Sequence, residues 1–567
     1  RAPQQVTASF DQPVGISAGS LTVYSPGGQR VDEDQTVHVS TYEIADSLLP
    51  GLGNGTYTAV WHVISADTHP VEGAFTFSVG TPSATHVGAL LPAADTGVDD
   101  LFAVVRWVGY LCYAVLGGGV AFLILCWPDG GRRRGAGRLV TASSLGLLLS
   151  TLLGLLLQGP YGAGTGLSQV FSATLIRSTL HSSLGPASEA REVLSLAAAG
   201  AAGLLLPRLP AAPLRTRRLA GAGWAVLVTA LAATWAVYDH ASTGVQAPWG
   251  IPVDIVHLDA MALWIGGLAV LAGLALRHEE RNGAAAAAAA HAVQRFSAVA
   301  LGCVTAIIVS GVYQTWREAG TWGALFGTTY GRLVIAKITG LILLIELGYF
   351  ARRLIRRGLS PAGRRTGAGP VPGPAWRPAM RQLRWSVTGE LGVAVIVLAL
   401  TAVLVNTATG REAYAPAVSA SQAFNTGGPG GAGTVHVFAA PARLGPNTLE
   451  VYFTQADGQP FRPAQVTAAL YFPARDLGPL PVTLTRTSAG QYRAQDATVT
   501  FTGRWSLQVI VRSDAFDETS VTFSLNIHLV TSAAIGSNPR NHLAVTSRLL
   551  NLYVLGSHVA HGEGECE

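Results

Sequence analysis

The chain has 567 residues, of which 49% are hydrophobic and only 13% are charged, and its mean hydropathy is +0.35. Soluble domains carry about a quarter charged residues, so this composition excludes an ordinary soluble protein and indicates membrane segments. The net charge of +5 does not indicate nucleic-acid binding, because the basic residues, all but one of them arginine, bunch between apolar stretches rather than along one face.

Residues 1–80 predict an all-β domain. Short alternating runs, the first of them carrying Val6, Ala8 and Phe10, are separated by Gly, Pro, Asn and Asp turns. Because residue 1 already leads into a strand-like pattern, we expect the natural domain to begin before Arg1. Residues 81–100 are predicted to be a linker of small residues.

Residues 101–407 predict a membrane domain of eight helices, because they hold eight apolar stretches of about twenty residues. The stretches centre near Ala114, Leu148, Ala199, Val228, Leu263, Ala306, Leu341 and Ile396. Arginine concentrates in alternate connections, such as "RRRGAGR" after the first stretch. By the positive-inside rule, we expect both termini of this multi-pass protein to lie outside the cytoplasm, and we expect it in the plasma membrane.

The C-terminal part returns to β structure. Residues 408–433 predict a Gly-rich linker, and residues 434–528 show the period-two runs of a second β-sandwich. Residues 529–567 lack clear periodicity, and we expect them to be a mobile tail. The predicted fold class is therefore a multi-domain membrane protein with an Ig-like β-sandwich, an eight-helix α bundle and a C-terminal β-sandwich.

The stretch "SADTHPVEG" holds a candidate metal site. In an extended segment the side chains of Asp67 and His69 point to the same side, so a carboxylate and an imidazole can converge on one ion. This donor pair suits Cu(II) or Zn(II). The alternative is a polar turn in which Asp67 caps backbone amides and His69 is merely exposed.

Ionisable residues within the apolar stretches suggest a path through the membrane. Asp254, His257 and Met261 have the spacing of one helix face and offer oxygen, nitrogen and thioether ligands for copper. The alternative is that His257 bonds a neighbouring helix and Met261 packs the bundle. Three further polar residues could extend an access route or pair with a membrane carboxylate: His181, His240 and Lys337.

"GTYTAVWHVISADTHPVEGAFTFSV" resembles the CopC family, small copper-binding β-sandwiches of the bacterial envelope. The resemblance implies that Asp67 and His69 are Cu(II) ligands. It also implies a further histidine ligand at a mature N-terminus ahead of Arg1.

The membrane part resembles the CopD family of copper-uptake proteins, through "HLDAMALWIGGLAVL", "RFSAVALGCVTAIIVSGVY" and "TTYGRLVIAK". The region 434–528, with "AGQYRA" and "GRWSLQVIV", looks like an extracytoplasmic YtkA-type β-sandwich.

These resemblances predict a copper importer rather than an enzyme: the outer domain captures Cu(II) and the bundle conducts it inward. Its partners would be copper ion, membrane lipid and an extracytoplasmic copper chaperone or acceptor, with no nucleic acid. A membrane-anchored copper-binding or delivery protein without transport is the alternative. A haem-holding electron carrier is a third class, but bis-histidine ligation needs two histidines and only His257 lies deep in an apolar stretch.

Overall fold

The structure, a computed structural model, describes residues 3–10, 13–16, 19–65, 70–81, 96–182, 184–243, 246–276, 283–358, 376–414, 417–427, 431–442, 445–455, 457–475, 477–499, 501, 503–514 and 516–527. Asp67, His69 and the predicted tail 529–567 lie outside these residues, as does most of the predicted linker 81–100.

The N-terminal domain is built from two small antiparallel sheets. Its strands are β1 (Gln5–Ser9), β2 (Val14–Gly15), β3 (Leu21–Tyr24), β4 (Val37–Ser40), β5 (Glu43–Ser47), β6 (Gly55–Ser65) and β7 (Pro70–Val79). One sheet has the order β1-β5-β4, and in the other β6 pairs with β2, β3 and β7. Val6, Ala8 and Phe10 are buried as their alternation predicts, and Phe10 meets Trp61 edge to face at 5.8 Å between ring centroids.

The middle of the chain is helical. Its helices are α1 (Thr96–Tyr113), α2 (Gly119–Leu125), α3 (Arg134–Ala163), α4 (Ala173–His181), α5 (Leu184–Leu205), α6 (Leu214–Ala236), α7 (Ala247–Val270), α8 (Gly283–Ala319), α9 (Trp322–Gly327), α10 (Thr329–Gly358), α11 (Trp376–Val405) and α12 (Gly410–Ala413). A wider π-helical turn, Ala114–Gly118, joins α1 to α2, so the two form one continuous rod.

Two glycines let this rod lie directly against α7. A Cβ on Gly118 would stand 1.8 Å from the carbonyl oxygen of Ala262, and a Cβ on Gly266 would stand 2.0 Å from that of Ala114. Helices in membranes associate through such small residues, because apolar lipid leaves close van der Waals packing as a main source of attraction. The rod and α7 therefore form the centre of the bundle.

Seven helical segments of the described residues are long and apolar enough to cross a membrane. They are Gly97–Leu125, Arg134–Ala163, Leu214–Ala236, Ala247–Ala275, His291–Ala319, Thr329–Arg353 and Arg381–Val405. The sequence predicts eight spans, and this count is wrong. The predicted third span, around Ala199, is the helix α5, whose first half carries Glu189, Arg191 and Glu192. Three charges so close together make its stretch too polar for a membrane span by composition.

The C-terminal domain is a second β structure. Its strands are β8 (Val418–Asn425), β9 (Ala432–Ala440), β10 (Gly445–Thr454), β11 (Gln465–Phe472), β12 (Leu477–Val482), β13 (Thr485–Ser488), β14 (Gln491–Val499), β15 (Gly503–Arg512) and β16 (Glu518–Ile527). They form sheets of order β13-β14-β10-β9-β8 and β12-β11-β15-β16 around a core that includes Phe453 and Trp505. The predicted layout of two β domains flanking a helical region is confirmed.

Candidate functional site

The predicted ligands Asp67 and His69 lie outside the described residues, so their geometry stays a prediction. The strands on either side are described, and they pair antiparallel with Ile64 opposite Pro70 and Val63 opposite Val71. The motif therefore connects two neighbouring strands of one sheet.

In the bundle, Asp254 and His257 of α7 both contact α8. Nε2 of Gln314 donates to Oδ1 of Asp254 at 2.8 Å, and Nδ1 of His257 lies 2.8 Å from Oγ of Ser310. The two helices run in opposite directions, so residues three apart on α7 meet residues four apart on α8. The prediction that Asp254 and His257 share a helix face agrees with these contacts.

The hydrogen bonds of Ser310 define which imidazole nitrogen of His257 carries the proton. Oγ of Ser310 donates its single hydrogen to the carbonyl oxygen of Ala306 at 2.6 Å. The hydroxyl must then accept from Nδ1–H of His257, which leaves Nε2 with a free lone pair in the neutral ring. Metal-binding histidines commonly donate their other N–H to such a partner. The arrangement orients Nε2 as a potential ligand.

Met261 is 9% exposed and belongs to the hydrophobic core of the bundle. Its packing agrees with the alternative reading of this methionine, and its ligand role stays a prediction. The nearby Asp259 faces away from α8: its Oδ1 accepts from Tyr113 and its Oδ2 from Thr229, both at 2.6 Å. Asp259 thus ties α7 to α1 and α6 and is not available to the site on the α8 side.

Charged residues from three other positions surround Asp254. Lys337 of α10, Glu318 of α8 and Asp239, just after α6, all interact electrostatically with its carboxylate. Lys337 also acts on His257. The hydroxyl of Tyr330 donates to Oε2 of Glu318. Asp254 and Glu318 both act electrostatically on Lys337. Its role as a counter-charge stays a prediction.

The two other predicted histidines differ in their surroundings. His240 is 7% exposed, and Arg317 holds its segment by donating to the carbonyl oxygens of His240 at 2.9 Å and Thr243 at 2.5 Å. His181 is the exposed last residue of α4. His181 therefore lies on a different helix from Asp254 and His257, which belong to α7.

Across the described residues, no three His, Cys, Asp or Glu side chains are grouped so that they could hold a metal ion. The α7–α8 face offers one imidazole nitrogen and one carboxylate, enough for transient contact with an ion but not for a closed structural site.

Sequence reasoning missed the residues of α8 that position this face. Ser310, Gln314 and Glu318 are polar residues four apart in the C-terminal half of α8, a spacing that places them on one side of the helix. Their periodicity could have identified them. Sequence reasoning also missed the buried pair of Arg106 and Asp239, whose closest charged atoms lie 3.9 Å apart.

Four families match the chain in consecutive segments. Residues 1–80 match the CopC domain, residues 97–249 the N-terminal domain of copper resistance protein D-like proteins, and residues 290–404 copper resistance protein D. The chain joins a CopC domain to a CopD-type membrane domain. Residues 435–526 of this CopC–CopD fusion match the FixH family, which is close to the YtkA-like family. The resemblances that the sequence indicates are confirmed.

Three curated proteins are similar to the fusion over all or part of its length. It is 26% identical over 539 residues to copper transport protein CutJ of Bacillus subtilis, covering 92% of each chain. It is 28% identical over 311 residues to copper resistance protein D of Pseudomonas syringae, covering 54% of the fusion and 95% of the relative. Protein YobA of Escherichia coli is 37% identical over 86 residues, covering 14% of the fusion and 64% of the relative. No solved structure matches the fusion.

Proposed function

We propose that this CopC–CopD fusion binds copper at the outer face of the cytoplasmic membrane and imports it. One observation carries the proposal: the similarity to copper transport protein CutJ covers 92% of both chains, so it includes the β domains and the bundle together. The function is transport of an ion, and no catalytic role is assigned to any residue.

The capture site in this proposal is formed by Asp67 and His69, with Cu(II) as the bound species. A carboxylate oxygen and an imidazole nitrogen suit Cu(II), which binds such donors more tightly than other first-row divalent ions do. Two ligands alone bind weakly, so the proposal includes a further nitrogen ligand from an N-terminal histidine, as the CopC family implies. An extracytoplasmic copper chaperone would deliver the ion or accept it.

The path through the bundle begins at the α7–α8 face. The Nε2 lone pair of His257 and the carboxylate of Asp254 supply two ligands, and Met261, one turn further along α7, supplies a thioether. Lys337 balances the charge of Asp254 when no ion is present. Weak ligation by few donors suits conduction, because an ion must leave each position as readily as it enters.

We place the membrane domain at 101–407, between the linkers 81–100 and 408–433, and both β-sandwiches (1–80 and 434–528) on the outer side, with lipid around the bundle. The arginine-rich segments after the first candidate span and before the last one support this orientation. Seven spans alone would leave the β-sandwiches on opposite sides of the membrane. The proposed placement therefore requires α5 to cross as well despite its three charges, with Arg191 bonded to Thr234 and Tyr238 inside the bundle.

The orientation is tested by labelling intact cells with a membrane-impermeant maleimide. The labelling positions are Val39→Cys in β4 and Phe516→Cys after β15, chosen because Val39 and Phe516 are 56% and 95% exposed. Both variants are made in a background without Cys566. Labelling of both variants supports the outer placement. Labelling of Val39→Cys alone would put the C-terminal sandwich in the cytoplasm.

Transport is tested with the full chain in proteoliposomes, by comparing copper bound outside with copper accumulated inside. We expect Asp67→Ala/His69→Ala to lose external Cu(II) binding and uptake. His257→Ala should keep external binding and lower uptake by ~10-fold or more. His291→Ala, at an exposed position of α8, is the control and should keep both.

A membrane-anchored copper-binding protein without transport is the second candidate. It is favoured by one observation: residues 1–80 match the CopC domain, and copper capture at that domain needs no path through the bundle. External binding without any accumulation in the proteoliposomes would establish this function and overturn import.

A further inference from the structure

A small polar cavity of about 40 Å³ lies in the first half of the bundle, and none of its lining residues belongs to α7 or α8. It is lined by residues of α1, α3, α5 and α6 and by Tyr238, which follows α6. Its polar side chains are Arg106, Ser150, Thr151, Ser188, Arg191 and Tyr238. Two of these carry positive charge, and the lining includes no carboxylate.

Arg106 of α1 has an unused donor at this cavity. The residue is 9% exposed, and its Nη1 is buried without a hydrogen-bond partner among the described residues. Its nearest carboxylate oxygen, Oδ1 of Asp239, is 3.9 Å away, beyond the roughly 2.7–2.9 Å of a charge-assisted hydrogen bond. Because an unmade bond to a buried charged group is costly, Arg106 requires another acceptor.

Arg191 of α5 is firmly positioned beside it. Its Nε donates to Oγ1 of Thr234 at 2.9 Å, and its Nη2 donates to the carbonyl oxygen of Thr234 at 2.8 Å and to the hydroxyl of Tyr238 at 2.7 Å. Its guanidinium lies over the ring of Trp235, 4.0 Å from the centroid. All of these partners are neutral, so they fix the guanidinium in place without cancelling its charge.

The hydroxyl group of Tyr238 is a second hydrogen-bond donor at the cavity. Since the hydroxyl oxygen of Tyr238 accepts from Nη2, its own hydrogen is free to donate, and no described residue receives it. Ser150 and Thr151 give their hydrogens to the carbonyl oxygen of Leu147, so they offer only lone pairs to the cavity. Those lone pairs suit a water molecule next to the ligand.

The lining of the cavity itself carries only positive charge. Arg106 lies 3.9 Å from Asp239, and Glu192 interacts electrostatically with Arg191, but neither carboxylate belongs to the lining residues. A negative charge inside the cavity would be paired with both guanidinium groups, and buried charges are retained where they are paired. The guanidinium groups exclude a metal cation.

We propose that this cavity binds one small monovalent anion of halide size. Its volume has room for about three water-sized positions, enough for a chloride or bromide ion with one or two waters. Larger anions such as gluconate do not fit, and the second charge of sulfate is disfavoured because Arg106 and Arg191 already interact with Asp239 and Glu192. The anion bridges α1 and α5 through Arg106 and Arg191.

Binding is measured on the full chain purified in detergent and gluconate buffer, by equilibrium binding of radioactive chloride and by thermal unfolding at constant ionic strength. We expect saturable binding of one chloride per chain, competition by bromide, and a rise in the unfolding temperature with either halide. Gluconate and sulfate should neither compete nor stabilise. Absence of saturable chloride binding would show that the cavity holds water only and would overturn the proposal.

Variants assign the binding to this cavity. Arg106→Gln should weaken chloride binding by about 10- to 100-fold, the loss expected for a hydrogen bond to a charged group. Arg352→Gln is the control, because it removes a guanidinium of α10 that does not line the cavity and donates to the carbonyl oxygen of Ser297. This variant should bind chloride as the parent does.

A second variant covers the case in which Arg106→Gln does not fold. Ser188→Val keeps both guanidinium groups and fills the cavity with methyl groups, so it should also abolish chloride binding. Unchanged chloride affinity in Ser188→Val would place the anion elsewhere and contradict the proposal.

Discussion

The hydroxyl of Ser310 accepts a hydrogen bond from Nδ1 of His257 while donating its own hydrogen to the carbonyl oxygen of Ala306. Two helices are joined in this way, and the imidazole is held as the tautomer with a free Nε2. A built Cβ on Gly311 would be 3.6 Å from Cε1 of His257, so the ring lies close over the α8 backbone. The orientation of this histidine depends on α8 as much as on α7.

Replacing Ser310 with alanine should lower copper uptake without removing a ligand. Nδ1 of His257 would lose its acceptor, so the ring could rotate or shift its proton to Nε2. Loss of such a supporting hydrogen bond typically costs 10- to 100-fold in metal affinity or activity. Uptake in proteoliposomes as a function of copper concentration measures the effect.

Two comparison variants separate orientation from general damage. Ser310→Thr keeps a hydroxyl able to bond the carbonyl of the preceding turn, so uptake should recover. Ser195→Ala removes a fully buried serine of α5 whose Oγ has no hydrogen-bond partner in the described residues, and it should transport normally. Equal losses in Ser310→Ala and Ser195→Ala would refute the positioning role.

The two aspartates of α7 should respond differently to neutralisation. Asp254→Asn removes the carboxylate charge that faces Gln314 of α8 and leaves Lys337 with Glu318 alone of the two carboxylates that act on it, so uptake should fall by ~10-fold or more. Asp259→Asn affects only the bonds from Tyr113 and Thr229 and should transport at close to the parental rate. Parallel uptake assays on the two variants decide the point, and an equal response would remove Asp254 from the path.

Much of the fold could be predicted because the spacing of apolar residues along the sequence shows which side chains are buried. The alternation of Val6, Ala8 and Phe10 identifies the buried face of the first strand, and long apolar stretches identify seven of the helices. The prediction of an eighth span failed at α5. The apolar second half of α5 suggested a span, although its first half carries Glu189, Arg191 and Glu192. In the structure Arg191 bonds to Thr234 inside the bundle.

Only the part of the candidate site that lies on a single helix could be predicted from the sequence. The spacing of Asp254 and His257 shows that they share a face, but the residues that meet this face come from α8, and their identity depends on how the two helices pack. The pairing of Arg106 with Asp239 is still less accessible, because the two are far apart in the chain and only the folded bundle brings them within 3.9 Å. Polar residues four positions apart in a helix, such as Ser310 and Gln314, share one side of it. This pattern can be recognised in a sequence.

Gly266 should not tolerate even a methyl group. An added Cβ would stand 2.0 Å from the carbonyl oxygen of Ala114 and 2.5 Å from the backbone nitrogen of Gly119, and neither backbone atom can move aside cheaply. We expect Gly266→Ala to destabilise the bundle by ~1–3 kcal/mol, the usual cost of overpacking. Denaturant unfolding in detergent, followed by tryptophan fluorescence, measures it. Gly302→Ala, whose Cβ would meet nothing within 4 Å, is the control; equal stability of the two variants would contradict the close crossing.

Arg317 should be needed to hold the segment that carries His240. Its guanidinium donates to the carbonyl oxygens of His240, Ala241 and Thr243, and it also lies 3.7 Å from Glu318. Arg317→Gln removes this donor from the carbonyl oxygens of Ala241 and Thr243, while that of His240 still accepts from Thr243. The cost is ~1–3 kcal/mol for each carbonyl that stays buried without a partner. Hydrogen exchange followed by mass spectrometry should therefore show faster exchange in the peptide that contains His240, while peptides from β10 and β15 exchange as before. Unchanged exchange around His240 would mean that neighbouring groups, rather than Arg317, order this segment.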